Sequence, residues 1–173
     1  GDPARRPGHG PRDAGPCYHP DESLLGSVTG AIVRSAGRPV LVVPEWRGPV
    51  ERIAVAYDGS PASDRALAAA ADLAARWEGP RPKIVLIGVR PEAGAPEEFL
   101  GPALRYLKAY DLSHHVRTGP GDPGVLINAL ALSENASLLC MGAFGHSLLR
   151  EALLGSTTQT LLATWTRALL LCH

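Results

Sequence analysis

No sign of charge predominates in this chain: 17 lysines and arginines stand against 17 aspartates and glutamates, a formal net charge of zero. Such a balance leaves no broad electrostatic footprint for a polyanion or an anionic bilayer, which argues against nucleic-acid and membrane-surface binding. Long apolar runs are missing too. None approaches the roughly 20 residues that span a bilayer, and no segment reads as a secretory signal. Cysteine is scarce, with three in 173 residues. The count is odd, and Cys140 and Cys172 fall in apolar stretches. Buried thiols in a reducing, cytoplasmic setting are therefore expected, in place of a disulfide framework or a metal site. There is no G-x-x-x-x-G-K-S/T phosphate loop, and Gly145-His146-Ser147-Leu148-Leu149 lacks the final glycine of a nucleophile elbow.

What the chain does have is apolar mass, 45% of its residues. That is enough for one good core, or one domain plus a fragment. Residues 1–20, rich in Gly, Pro and Arg, read as a mobile tail or irregular loop with little to bury. From Arg52 onward strands and helices alternate. Strands are expected at Arg52–Tyr57, Lys83–Val89, Ser113–Thr118, Leu138–Met141 and Arg167–Cys172. Helices are expected at Ala66–Trp77, Glu97–Tyr110, Val125–Ser133 and Ser156–Thr164. Ser60 or Ser63 is placed to cap the first helix, with Pro61 in its first turn. This order implies an open, mostly parallel, Rossmann-like α/β sheet of five strands with helices on both faces. Ligands of such sheets sit beyond the carboxyl ends of the strands, near the switch in strand order.

The most informative stretch follows the fourth of these strands. Leu138–Met141 stops at Gly142, Gly145 comes three residues later, and Gly155-Ser156-Thr157 opens the next helix. Glycines let backbone N–H groups approach a ligand, and a helix start offers unpaired amides at the positive end of its dipole. Together these features suit a phosphate. The spacing Gly142-x2-Gly145-x9-Gly155-Ser156-Thr157 resembles the ATP-binding motif of the universal stress protein family. Ile53–Ser60, I-A-V-A-Y-D-G-S, is similar to that family's first strand and turn. The resemblance covers Glu51 to His173. It implies an adenine nucleotide alpha-hydrolase-like fold that binds ATP, with or without magnesium. It also implies that Ala56, Tyr57 and Asp58 lie at the adenine and ribose, with Val89 near the adenine. Gly142, Gly145, Gly155, Ser156 and Thr157 would then hold ribose and phosphates. Asp58-Gly59 is also an ordinary turn pair. His146 and Arg150 lie inside the loop and are as compatible with solvent as with phosphate.

An internal repeat precedes this domain. Leu24–Pro44 aligns without a gap on Leu153–His173: Leu24 with Leu153, Leu25 with Leu154, Gly26 with Gly155, Ser27 with Ser156, Thr29 with Thr158, Arg38 with Arg167 and Leu41 with Leu170. All pairs share one offset, which is close to the length of a family domain. Residues 21–44 thus look like the closing helix and strand of a first copy, joined by a linker at 45–50 to a complete domain at 51–173. The positions matching Gly142 and Gly145 are Asp13 and Pro16. A negative charge and a missing N–H suit no phosphate, so no nucleotide site is expected in the first copy. Its apolar strand Val40–Val43 needs a partner edge. The expected partner is Leu169–Cys172, of the same chain or of a second copy in a homodimer.

Gly119-Pro120-Gly121-Asp122-Pro123-Gly124 is a literal G-x-G-x-x-G, but two prolines remove amide donors and Asp122 puts a negative charge where a pyrophosphate would lie. It reads as a turn, with Asp122 capping the next helix. His114 and His115, adjacent in a strand, point to opposite faces and do not share a metal. Trp46, Trp77 and Trp165 read as packing residues. The expectation is an ATP-binding protein that binds or switches in a stress response. No residue set makes a convincing catalytic base beside the phosphates. A nucleotide-free interaction module of the same fold and a slow ATPase are the alternatives.

Overall fold

The computed structural model describes residues 31–33, 35–44, 48–88, 96–143 and 155–173. The expected tail 1–20, most of the first-copy helix, Trp46, Val89, and Gly145 with His146 and Arg150 lie outside the described residues. Six strands form one sheet: β1 (Val40–Val42), β2 (Arg52–Tyr57), β3 (Lys83–Gly88), β4 (His114–Thr118), β5 (Leu138–Gly142) and β6 (Ala168–Cys172). Four labelled helices connect them: α1 (Pro61–Ala75), α2 (Pro96–Ala109), α3 (Pro123–Ser133) and α4 (Ser156–Thr164). The strand order is β1-β6-β5-β2-β3-β4. Five strands run parallel, and β1 runs antiparallel against β6.

The five-stranded expectation is corrected to six. The sixth is β1, and the physical cause is the open edge of β6: Val40, Leu41 and Val42 pair with Leu171, Leu170 and Leu169 of the same chain. Pro39 and Pro44 bracket this short strand.

Period-two alternation distributes the apolar residues of the central strands to two cores. Ile53, Val55, Tyr57, Ile84, Leu86, Leu138 and Cys140 lie under α1 and α2 with Ala66, Ala70, Leu100 and Leu107. Ala54, Ala56, Val85, Ile87, Leu139 and Met141 lie under α3 and α4 with Ile127, Ala131, Leu161 and Trp165. Both faces of β2, β3 and β5 are covered, which is why these strands are apolar apart from Arg52 and Lys83 at their first positions. Each fully buried isoleucine or leucine contributes about 1.5–3 kcal/mol relative to exposure. The inner face of α1 is almost all alanine, with Ala66, Ala70, Ala71 and Ala74 fully buried. Small side chains bring its axis close to the sheet.

Helix starts fall earlier than the apolar pattern suggests, because caps and prolines set them. Ser60 is the N-cap of α1 and accepts from the Ser63 amide at 3.2 Å, with Pro61 in the first turn. Asp122 is the N-cap of α3, its Oδ1 accepting from the Val125 amide at 3.1 Å. Among the described residues, no helix is long and apolar enough to cross a membrane.

Candidate functional site

Strand order reverses between β2 and β5. From β2 the chain moves outward through β3 to β4; from β5 it moves the other way to β6. β2 and β5 are parallel neighbours with Ile53, Ala54 and Val55 opposite Leu138, Leu139 and Cys140. Carried forward, that register sets Tyr57 level with Gly142. The turn at Asp58 and the segment leaving β5 therefore emerge side by side at the carboxyl end of the sheet.

Asp58 is half-buried. Its Oδ1 accepts from the Ser60 amide at 2.9 Å, and Gly59 takes a φ of 80° that the tight turn requires. The same turn delivers Ser60 to the start of α1, so one short motif fixes both the aspartate and the helix. Ala56, 7% exposed, is the last β2 residue directed toward the α3/α4 side. Tyr57 points the opposite way and donates its hydroxyl to Asp64 Oδ1 at 2.8 Å. Burial, then that bond, pushes its ionisation well above the ordinary tyrosine value, so the hydroxyl stays protonated.

Gly142 has a packing duty of its own. A Cβ there would lie 2.7 Å from Ala62 Cβ, 3.0 Å from the Ala62 carbonyl carbon and 3.1 Å from the Ser63 amide nitrogen. Only glycine lets β5 end this close to the start of α1. The next residue, Ala143, is fully buried and donates its amide to the Cys172 carbonyl at 2.7 Å. Its carbonyl accepts from Thr158 Oγ1 at 3.1 Å. Thr158, 2% exposed, thus ties the first turn of α4 back to the end of β5. Sequence reasoning stopped at Thr157. The third hydroxyl of the Ser156-Thr157-Thr158 run was the available signal.

α4 starts where the motif requires, at Ser156, with Gly155 as N-cap. Gly155 has an ordinary extended backbone, φ −59° and ψ 149°, and among the described residues no side chain caps its helix end. Among the described residues, no atom comes within 4 Å of a Cβ built on it. Ser156 is exposed and Thr157 half-buried. Among the described residues, the positive end of this helix is thus uncovered, where an anion is favoured. The structure brings Ala56, Asp58, Gly142 and, through Thr158, the Gly155–Thr157 segment to one end of the sheet.

The rival motifs have structural roles. Gly121 takes a φ of 123° in the turn before α3, and a Cβ on Gly124 would lie 2.7 Å from Thr160, so Gly124 lets α3 close on α4. His114 Nδ1 meets the Leu112 carbonyl at 2.8 Å, whereas His115 and Arg117 bracket the Glu134 carboxylate at 3.0 and 3.1 Å. Among the described residues, no cluster of His, Cys, Asp and Glu is placed to hold a metal ion. Trp165 is buried and donates Nε1 to the Ala168 carbonyl, and Trp77 packs against the α1/α2 core. Cys140 and Cys172 are buried free thiols, as expected.

The model of the universal stress protein family matches residues 49–173. A universal stress protein of Synechocystis sp. is 30% identical over 138 residues, which cover 80% of this chain and 48% of that protein. The chain thus spans about half the length of this curated relative. The crystal structure of a universal stress protein from Archaeoglobus fulgidus superposes with a TM-score of 0.69 at 27% identity, over 86% of this chain and 54% of the other. A universal stress protein solved in complex with cAMP superposes with a TM-score of 0.60 at 25% identity, over 73% of this chain and 98% of the other.

Proposed function

Because the chain belongs to the universal stress protein family, we propose that it binds ATP at the carboxyl end of β2 and β5 and works as a nucleotide-dependent binding or switching protein in a stress response. One observation carries this reading: the N-terminus of α4 has, among the described residues, no side-chain cap and no neighbour crowding Gly155, and is tied to the end of β5 beside the Asp58 turn. An anion at this helix end would complete the cap that the described side chains leave out. The cAMP complex of a similar protein supports an adenine nucleotide as the ligand class. In this proposal Ala56, Asp58 and Val89 contact adenine and ribose. Gly145, Gly155, Ser156 and Thr157 offer amides and hydroxyls to the phosphates. Gly142 acts from behind, by holding β5 against α1. Magnesium, where present, would be held by the phosphates with Asp58 nearby. The same reading makes 51–173 the complete domain, 21–44 the end of a first copy and the cytoplasm the working compartment, consistent with two buried free thiols.

Calorimetric titration tests it. ATP is expected to bind the full chain, and Gly145→Val, which blocks close approach to phosphate, is expected to weaken binding by one to two decades. That figure follows from roughly 1.5–3 kcal/mol for a charge-assisted bond. Unchanged affinity in Gly145→Val removes the proposed loop role. No heat and no displaced nucleotide in the wild-type chain removes ATP binding altogether.

A further inference from the structure

The two helical layers that cover the sheet differ in their outer faces. α1 and α2 present exposed Asp64, Arg65, Asp72, Arg105 and Lys108. α3 and α4 contain no charged residue. A surface helix ordinarily sets charged and polar residues opposite its apolar stripe. α3 does not. Its buried residues are Gly124, Ile127 and Ala131. Val125, Ala129 and Leu132 lie on the opposite side, at the spacing that lines residues up along one helix face, and all three are exposed. Val125 is 63% exposed and Leu132 40%. Single apolar residues scattered on a surface need no explanation, whereas a row of them on an uncharged helix marks an interaction surface.

We propose that this face of α3 docks on the same face of a second copy of the chain, helix against helix across a two-fold axis. Charge selects that occupant. A neutral apolar stripe fits another neutral stripe, while setting it on the α1/α2 layer of a second copy would bury unpaired charges at a large cost. The row is also self-complementary when the two helices run antiparallel. The small Ala129 then lies near the axis, and Val125 of each copy meets Leu132 of the other, as a two-fold contact requires. The helix ends agree as well. Antiparallel packing lays the Asp122 end of one α3 beside the Glu134 end of the other, so each positive dipole end meets a negative one. The Glu134 carboxylate is already held by Arg117 at 3.1 Å and His115 at 3.0 Å, so the two acidic ends do not meet as bare like charges. α3 has 11 residues and α4, beside it, has nine. Helices of this length offer less than the roughly 800 Å² per partner of a standard interface, which places the contact among weak, reversible ones. The inference is independent of the nucleotide and of the β1–β6 edge.

The full chain carries the test. Sedimentation velocity from about 1 μM to about 1 mM covers the range of weak complexes. The wild type is expected to move from the 18.2 kDa monomer toward twice that mass as concentration rises. Ala129→Glu and Ala129→Arg each set two like charges at the axis. The position is exposed and both new residues are good helix formers, so circular dichroism should be unchanged. Each variant alone is expected to stay monomeric. An equimolar mixture of the two is expected to associate at least about tenfold more tightly than either alone, because opposite charges then face each other. A merely structural effect of the substitutions gives no such rescue. If the Ala129 variants fail to fold, Val125→Lys is expected to abolish association in their place. A wild type that stays monomeric at about 1 mM overturns the proposal and leaves the stripe to a different protein. A wild-type dimer that survives Ala129→Glu or Val125→Lys overturns it too, since it uses another surface, and so does a mixture that fails to associate.

Discussion

The two described glycines of the candidate site call for opposite responses to an added apolar side chain. In Gly142→Ala the new Cβ would sit 2.7 Å from Ala62 Cβ and 3.0 Å from the Ala62 backbone carbon. The second neighbour is main chain at the start of α1, pinned by the Ser60 cap at 3.2 Å and the Ser63 hydroxyl bond at 2.8 Å. It cannot swing aside as a side chain would, so β5 and α1 must separate by several tenths of an ångström. Overpacking of this kind costs about 1–3 kcal/mol. For a domain of this size each kcal/mol moves Tm by about 3–5 °C, so a fall of roughly 3–15 °C is expected. Gly155→Val is the matched control. Its backbone, φ −59° and ψ 149°, suits any residue, and the described surroundings leave room. Thermal unfolding should therefore shift by no more than about 1 kcal/mol, the scale of a lost glycine cap. ATP affinity should fall by about one decade or more, as one amide–phosphate bond is lost. Calorimetric scans and titrations of both variants give the answer. A Gly142→Ala protein with wild-type Tm refutes the packing argument. A Gly155→Val protein with wild-type ATP affinity refutes the open helix end as the anion site.

Other perturbations have equally definite outcomes. Thr158→Val keeps the shape of the side chain but leaves the buried Ala143 carbonyl without its hydroxyl donor; a loss of about 1–3 kcal/mol is expected in urea unfolding. Asp122→Ala removes the side-chain cap of α3 and should cost about 1 kcal/mol by the same assay, whereas Asp122→Asn should retain most of it. The buried thiols give a pH signature. Burial, with Cys172 nearby, pushes Cys140 up from its ordinary value of 9.0, and burial raises Cys172 against an opposing pull from Arg65. The unfolded thiol therefore releases its proton first. Stability is fully present below the unfolded value and declines as pH rises above about 9, by about 1.4 kcal/mol per pH unit for Cys140 alone. Urea midpoints from about pH 8 to about pH 10.5 should show this decline, and Cys140→Ala should make it shallower, leaving the part due to Cys172. In the folded state neither thiol should react with a bulky disulfide reagent until the chain unfolds.

Much of this was legible in the residues because burial on both faces leaves an unambiguous trace. R-I-A-V-A-Y, K-I-V-L-I-G and L-L-C-M-G are apolar runs too short for helices, and each is a central strand. The start of α4 and the cap at Asp122 were legible for a local reason, since a helix start needs a particular residue at a particular place. Two features were not. The repeat named Leu169–Cys172 as the partner of Val40–Val43, but whether that strand joins the sheet of its own chain, and so makes it six-stranded, is a contact across more than a hundred residues that no local pattern encodes. The packing duty of Gly142 depended on how near α1 approaches β5, which follows from the run of small alanines on a different element. A glycine required for a ligand and one required for a neighbouring helix look identical in sequence. Thr158 was overlooked because its partner is a backbone carbonyl, which has no residue identity to recognise.

The two outermost strands also bear on how this protein behaves in a crowded solution. β1 is three residues long and is stopped at each end by an imide ring, at Pro39 and Pro44. β4, at the far rim, carries His115 and Arg117 drawn onto Glu134. A sheet grows by recruiting foreign strands along long, flat, uncharged rims. Here one rim is too short to template such growth, and the other demands that an incoming strand displace paired charges. The apolar interior can thus be rich without seeding fibrils.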